Sequence, residues 1–349
     1  MKIQDYNIRD TCMLLQMQDK VFLGDIADLI SGYYAKFSKT LVLSKCQVRE
    51  HDILEGYSHQ LGKFVRIELQ AARPVIPVKQ IIPFADTCFM QLDSYIIVVS
   101  PADYASFEQY PLLAHYFDEC GISGNPYSKD IISSHLLTNT DAPKLLLSVQ
   151  HDVCSTMKDC SSHALSTINT YACQFSNIVP DDYDVYAVIF NSKVFTYFYR
   201  YSSMSDQSKM PGRKQALMQI PIPIRAISEY VEILHAIADC QFYLARPNIP
   251  PVSPTISNAR LKKYMTDIMN MVVYELYFPA YMRSKGLSIL DDNMIKAPFM
   301  LTMASEQSRV YETYLWYQSP GNIVRQKLEL LDIRSPELLS PINNLQMNE

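Results

Sequence analysis

The segment from Asn191 to Arg225 is rich in side chains that could contact a polyanion. It holds six basic residues and one acid, Asp206, in a chain whose net charge is −5. Lysine and arginine neutralise phosphates, and arginine can pair with guanine through two hydrogen bonds. A flexible loop can enter a groove of DNA, so the corner Gly212-Arg213-Lys214 is the strongest candidate; a basic loop facing only solvent is the alternative. The candidates for DNA contact in this segment are Lys193, Arg200, Lys209, Arg213 and Lys214.

A second and milder basic region lies closer to the N-terminus. From Lys20 to Gln80 there are nine basic residues and six acidic ones. The stretch "YYAKFSK" follows Gly32, and its Lys36 and Lys39 are candidates for phosphate contact. An exposed turn without a ligand explains these two lysines equally well. The acidic excess then lies in other parts of the chain, which is the distribution that a one-sided binding face would produce.

The stretch "HDVCSTMKDCSSH" contains residue types that bind zinc. His151, Cys154, Cys160 and His163 could ligate the ion tetrahedrally. However, the usual C-x2-C and H-x3-5-H pairs are absent, so an ordinary loop with free thiols also explains the four residues. The sequence leaves open whether this cluster binds a metal.

A metal-dependent nuclease is a further possibility. Asp182, Asp184 and Lys193 loosely resemble the P-D…[DE]-x-K pattern of such enzymes, in which carboxylates hold a divalent ion and a lysine lies near the attacking water. The second carboxylate of the pattern is missing, because Asn191 stands two residues before the lysine. The two aspartates could instead cap the element that follows them.

Composition excludes several other classes of protein. The 349 residues include only nine glycines, and neither a dinucleotide-binding nor a P-loop motif occurs. No G-x-S-x-G elbow of a serine hydrolase is present. The N-terminus is too charged for a signal peptide, and no apolar run is long enough to span a membrane. Eight scattered cysteines favour free thiols and therefore a cytoplasmic protein.

The hydrophobic patterns predict an α+β fold with two regions, 1–225 and 226–349. The first region mixes strands, such as Lys39–Lys45, Lys63–Leu69 and Pro143–Gln150, with a helix ending at Gly121. "VKQIIPF" and the proline-rich "QIPIPI" also have β-type character, and "YDVYAVIF" is typical of a strand or of a strand leading into a helix. The second region is helical, with helices predicted over Ala226–Ala245, Asn258–Phe278 and Ala297–Gln318, and a frayed tail from Ser340 onwards. Phe195, Tyr197, Phe198 and Tyr199 are expected to pack in the core.

Several stretches, in order along the chain, resemble a known family. "FLGDIADLISGYYAKFSKTLVLSK" is similar to the opening of a target-recognition domain, and "YAVIFNSKVFTYFYR…GRKQALMQIPIPI" to the element that closes it. "IMNMVVYELYFP" resembles a helix end found after that domain, and "ELQAARPVIPVKQIIPF" a segment between its halves. The family comprises the specificity regions of Taq-like and type II fused restriction–methylation enzymes, with type I specificity subunits as relatives. The resemblance covers about Phe22 to Leu287.

The resemblance implies a DNA-recognition protein that lacks its own chemistry. In the family the turn after Gly32 faces DNA. The [NDS]-P-P-[YFW] motif and the cofactor loop of the methyltransferases are missing, since the nearest match is "IPPV" at Ile249–Val252. We therefore expect a non-catalytic specificity component that binds double-stranded DNA, needs no cofactor and serves a separate methyltransferase or nuclease. The helix Asn258–Phe278 would dock that partner or pack internally. A metal-dependent endonuclease and an inert fragment of a fused enzyme are the alternatives.

Overall fold

The computed structural model describes residues 21–32, 38–99, 108–122, 143–150, 153–159, 164–166, 170–175, 183–204, 212–291, 295 and 305–344. The strands in these ranges are β1 (Ala27–Ser31), β2 (Val42–Arg49), β3 (Ile53–Ser58), β4 (Lys63–Glu68), β5 (Ala72–Ile76), β6 (Tyr95–Ile97), β7 (Lys144–Gln150), β8 (Val153–Asp159), β9 (Leu165–Ser166) and β10 (Thr170–Phe175). The helices are α1 (Leu23–Ile26), α2 (Ser38–Leu41), α3 (Pro111–Glu119), α4 (Tyr183–Phe190), α5 (Lys193–Met204), α6 (Arg213–Met218), α7 (Ile224–Glu229), α8 (Val231–Ala245), α9 (Asn258–Tyr277), α10 (Pro279–Ser284), α11 (Glu306–Gln318), α12 (Ile323–Arg334) and α13 (Pro336–Asn344).

One sheet has four antiparallel strands in the order β1-β10-β7-β8. Strand β7 is buried on both faces, which explains its almost unbroken apolar run "KLLLSV". Leu145 and Leu147 pack with helix α4, while Leu146 on the opposite face joins a small cluster with Ile76 and Met157. The chain thus places helices on one face of this sheet and part of the second sheet on the other.

The second sheet has the order β4-β3-β2-β6-β5-β9. Its pairs are antiparallel except for the short parallel pair β5–β9. Helix α3 covers one face and contributes Leu113, Tyr116 and Phe117 to a separate apolar core with Leu54 and Ile67. The other face of β3 and β4 is open to solvent. Sheets built mainly from antiparallel strands, followed by a helical half, confirm the expected α+β class.

The largest apolar core crosses the boundary that the sequence predicts at Arg225. It begins at Leu23, includes Leu145 of the first sheet and Val185 of α4, and continues to Ile342 in α13. The regions 1–225 and 226–349 therefore share one core. Two smaller clusters lie wholly inside the first region: the core under the second sheet and the cluster of Ile76, Leu146 and Met157.

Most predicted elements are present, and the differences have local causes. "YDVYAVIF" forms helix α4: every residue from Val185 to Phe190 is buried, so its apolar pattern has no period that could identify a helix. The predicted helix Ala226–Ala245 breaks at Tyr230, whose ψ of 24° is not helical, into α7 and α8. In "VKQIIPF" the structure has a 3-10 turn at Val78–Gln80 where the sequence suggested a strand.

Other predictions shift at their ends. The predicted strand Lys39–Lys45 starts only at Val42, and "QIPIPI" contributes a single bridge between Pro221 and Phe22. Helix α11 begins at Glu306, after the capping side chain of Ser305, and residues 296–304 lie outside the described ranges. Helix α13 includes Ser340 to Asn344, which were expected to be frayed. In the described part of the chain, no helix combines the length and apolar character needed to cross a membrane.

Candidate nucleic-acid interface

The chain leaves the first sheet at Gly32, directly after strand β1, where the sequence predicts a turn. There, Ser31 pairs with Tyr171 of β10. The backbone N–H of Gly32 donates to the carbonyl oxygen of Thr170 at 2.8 Å. These contacts fix the point from which the chain continues toward Lys36, which lies outside the described residues.

Helix α6 brings Arg213 to the same end of the sheet. The helix packs on α1 and β1. Burial raises the pKa of Tyr171, and the nearby positive charge of Arg213 partly opposes this rise. Because Tyr171 is the strand partner of Ser31, Arg213 lies beside the exit of the Gly32 turn. Arg213 and its neighbour Lys214 are both exposed.

A close backbone approach sets the position of α6. The N–H of Leu23 donates to the carbonyl oxygen of Ile220 at 2.9 Å. A Cβ atom at Gly24 would lie 3.0 Å from Cε and 3.2 Å from the carbonyl oxygen of Met218, which is tighter than ordinary contact. Glycine at this position therefore allows α1 to lie directly on the end of α6, and this contact holds the segment that carries Arg213.

Lys39 is exposed and lies beside the hairpin formed by β3 and β4. The N–H of Gln60, in the hairpin turn, donates to the carbonyl oxygen of Lys39 at 3.1 Å. The chain from Gly32 to Lys39 is seven residues long, so their Cα atoms are at most about 25 Å apart. That span corresponds to about seven base pairs of a DNA duplex. Lys39 and the Gly32 turn are therefore within reach of a single short duplex.

The basic residues of the 191–225 segment do not share one exposed face. Arg200 is 7% exposed, so its guanidinium lacks the access that a phosphate contact requires, and we remove it from the interface. Lys193 is half-buried at the start of α5, where its N–H donates to Oδ1 of Asn270 at 2.9 Å. Lys209 lies outside the described residues. Phe195, Tyr197, Phe198 and Tyr199 are all buried, which confirms their core role.

The side chain of Lys193 lies in a cleft of about 300 Å³ at the helical end of the molecule. Helices α5, α9, α12 and α13 form the cleft. Its lining residues are Lys193, Lys263, Asp267, Asn270, Tyr274, Leu328, Leu331, Asp332 and Leu339. Two lysines and two carboxylates thus share one pocket. Their charges balance, so the cleft is not suited to a polyanion such as DNA.

The electrostatics of the cleft follow from partial burial. Desolvation raises the pKa of Asp267, while Lys193 and Lys263 lower it and Asp332 raises it further. Desolvation also raises the pKa of the Tyr274 hydroxyl, with smaller contributions from the two carboxylates. The positive charge of Lys193 therefore interacts with the carboxylate of Asp267 in the same chain. For this reason Lys193 is not part of the proposed DNA interface.

The two proposed metal sites receive no support from the described residues. Asp184 forms a salt bridge with Lys158, so its carboxylate is already engaged by a cation. Cys154 lies buried in strand β8, while His151, Cys160, His163 and Asp182 lie outside the described residues. Within the described ranges, no group of three or more His, Cys, Asp or Glu side chains is arranged to hold a metal ion. Among the described cysteines, Cys46, Cys120, Cys173 and Cys240 are free thiols.

The second half of helix α9 is enclosed within the molecule. Every residue from Ile268 to Tyr277 is buried, so this half of the helix has no free face with which to dock a partner. Of the two roles that the sequence left open for this helix, the structure therefore supports internal packing.

Sequence reasoning missed the cleft and the open face of the second sheet. Lys263, Asp267, Asn270 and Tyr274 recur at helical spacing, which places them on one face of α9. In "KFVRIEL", the alternation that identifies β4 also places Phe64 and Arg66 on the same outer face. Both signals were visible in the sequence, but neither reveals which other elements approach that face.

Comparison with known proteins gives no assignment: the sequence matches no protein-family model and no curated protein.

Proposed function

We propose that the protein is the DNA-recognition component of a restriction–modification system, which selects a duplex sequence for a separate methyltransferase or nuclease. The observation that carries the proposal is the proximity of two segments that lie far apart in the sequence. Gly32, at the end of β1, and the exposed pair Arg213 and Lys214, at the start of α6, lie at one end of the first sheet. Both were candidates for DNA contact on independent grounds.

The roles of the side chains follow from their chemistry. Lys214 and Lys39 neutralise backbone phosphates, which gives affinity without sequence preference. Arg213 has a planar guanidinium that can donate two hydrogen bonds to one guanine, so it is the candidate for base reading. Lys36 and Lys209, in the adjoining segments, complete the proposed basic set. The chain lacks methyltransferase motifs, so the chemical step belongs to a partner subunit.

A gel-shift titration with duplex DNA at several salt concentrations tests the interface. In the double variant Arg213→Ala, Lys214→Ala we expect duplex affinity to fall roughly tenfold or more, and the slope of log K against log salt to become shallower by about two. The control is Lys193→Ala, Lys263→Ala, which removes the same charge from the helical cleft and should leave the slope unchanged. Equal losses in the two variants would show that net charge alone, and not this surface, governs binding.

The division of labour is tested separately. Incubation of the purified protein with plasmid and Mg²⁺ should leave the plasmid intact. Cleavage that EDTA abolishes would instead support the endonuclease alternative. A methyltransferase encoded beside this gene that lacks a recognition region should methylate DNA at specific sequences only when this protein is added.

A further inference from the structure

The open face of the second sheet carries aromatic and basic side chains together. Alternation along β3 sends Leu54 to the core and Tyr57 to solvent, and along β4 it sends Val65 to the core and Phe64 to solvent. The antiparallel register places Tyr57 directly opposite Phe64. We define the aromatic face as Lys45, Tyr57, His59, Phe64 and Arg66.

The Tyr57 ring contacts two other rings of the aromatic face. The Tyr57 ring centroid lies 5.5 Å from that of Phe64 and 5.3 Å from that of His59, in edge-to-face arrangements. Nε2 of His59 is 3.1 Å from the hydroxyl of Ser44, which helps to hold the imidazole in place. Phe64 is nevertheless 56% exposed, so much of its ring surface contacts water. An exposed aromatic ring supported by its neighbours is a surface available for stacking.

A bulge in strand β2 adds a cation to this face. The β2–β3 register shifts between Ser44 and Gln47, and Lys45 within the bulge has a φ of 52°, in the left-handed region. Bulges re-aim side chains, and non-glycine residues in this conformation are concentrated at functional sites. As a result, Lys45 is exposed and its Nζ lies 5.9 Å from the centroid of the Tyr57 ring.

Arg66 of the aromatic face and the neighbouring Arg49 share a single carboxylate, that of Glu55. Glu55 accepts hydrogen bonds from Arg49 at 2.6 Å and from Arg66 at 3.1 Å. These two contacts, with that of Arg49 the stronger, lower the pKa of Glu55. One carboxylate shared by two guanidinium groups leaves a net positive charge. The carboxylate of Glu68, the next outward acid on β4, instead accepts from the N–H groups at the start of α3.

The ligand follows from this combination of groups. Bases within a duplex stack on one another and present only their edges in the grooves, so an exposed ring stacks most readily on an unpaired base. Basic side chains around the ring would neutralise the phosphates of the same strand. We propose that the aromatic face binds single-stranded nucleic acid, with an unpaired base stacked on Phe64 and phosphates beside Lys45 and Arg66. This site includes neither Arg213 nor Lys214, although Lys39 of the proposed duplex interface lies beside the same β3–β4 hairpin.

Fluorescence anisotropy with labelled dT12 and U12 tests the proposal, and the two arms distinguish DNA from RNA. The full-length protein should bind at least one of them, and Phe64→Ala should weaken binding roughly tenfold, as expected for the loss of one stacked base. Ile82→Ala is the matched control, since Ile82 is an apolar side chain that is 46% exposed outside the aromatic face. It should bind as the wild type does.

An abasic oligonucleotide of equal length separates stacking from charge. It keeps the phosphates, so it should bind the wild type about as weakly as dT12 binds Phe64→Ala. Equal binding of abasic and normal strands, no effect of Phe64→Ala, or no binding of either homopolymer would overturn the proposal. The variant Arg213→Ala, Lys214→Ala should keep its affinity for the single strand, so failure of the duplex interface and failure of this site are distinguishable.

Discussion

Two pairs of basic residues in this molecule have the same charge and different surroundings. Arg213 and Lys214 are exposed where helix α6 meets the end of the first sheet. Lys193 and Lys263 line a cleft with two carboxylates, and Lys193 lowers the pKa of Asp267. In the sequence, Lys193 and Arg213 belong to one basic segment. The comparison shows that a run of positive residues identifies a possible ligand, whereas the packing of helices decides which of those charges a ligand can reach.

Removal of the helical region 226–349 should have the largest effect, because its helices decide which basic residues of region 1–225 are buried. A chain ending at Arg225 loses α8, α9 and α11, whose side chains share the largest apolar core with β7 and α4. Exposure of that core should leave the fragment unfolded or aggregated, because burial of apolar area is the main stabilising term. Circular dichroism and size-exclusion chromatography of residues 1–225 provide the measurement. A monomeric fragment that melts cooperatively and binds duplex DNA would contradict the shared core.

Arginines from the same segment should differ in their effect on stability. Arg200→Ala removes a buried cationic side chain, for which we expect a loss of about 3 kcal/mol in the free energy of unfolding. Arg213→Ala changes an exposed side chain and should cost less than about 1 kcal/mol. Urea unfolding of the two variants measures the difference. Similar losses would mean that exposure is not what separates these arginines.

The environment of Asp267 in the cleft should make the free energy of unfolding depend on pH. Desolvation raises the pKa of Asp267 above its ordinary value of 3.8, so the folded protein binds this proton more tightly than the unfolded chain does. The contribution of Asp267 to the free energy of unfolding therefore falls as pH rises from 3.8 through the raised pKa of this carboxyl in the folded state. Lys193→Gln removes a charge that opposes the shift, so the fall should become larger and extend to higher pH.

Urea unfolding of the wild type and of Lys193→Gln, between pH 3.5 and about 7, measures this difference in pH dependence. The range includes the ordinary carboxyl pKa values. Addition of Asp267→Asn to Lys193→Gln removes the titrating carboxyl and should abolish the extra pH dependence. If the extra dependence survives in the double variant, another group is responsible for it.

The smallest expected effect concerns the aromatic face. Glu55→Gln removes the carboxylate that Arg49 and Arg66 share. Both guanidinium groups then become available to phosphates, so affinity for dT12 or U12 should rise a few-fold, with a steeper salt dependence. Glu329→Gln is the control, since it releases Arg325 on the exposed surface of α12. A rise of equal size in both variants would indicate a general charge effect.

Sequence reasoning predicted the elements better than it predicted the interface. The alternation in "KFVRIEL" and the capped pattern of α9 are local signals, and both elements form where expected. Burial of Arg200 depends on helices that pack around α5 from elsewhere in the chain, so no local pattern indicates it. The pairing of Ser31 with Tyr171 joins segments about 140 residues apart and brings Arg213 to the Gly32 turn. The separation of such partners along the chain explains why the candidate site was only partly predictable.

The contact between Gly24 and Met218 fixes the far end of the short helix whose first residue is Arg213. A methyl group introduced at Gly24 would force Met218 to shift by a few tenths of an ångström, and we expect the helix that presents the Arg213 guanidinium to shift with it. The orientation of the Arg213 guanidinium would then change, while its charge would remain. A residue that never touches nucleic acid could in this way control which bases are read.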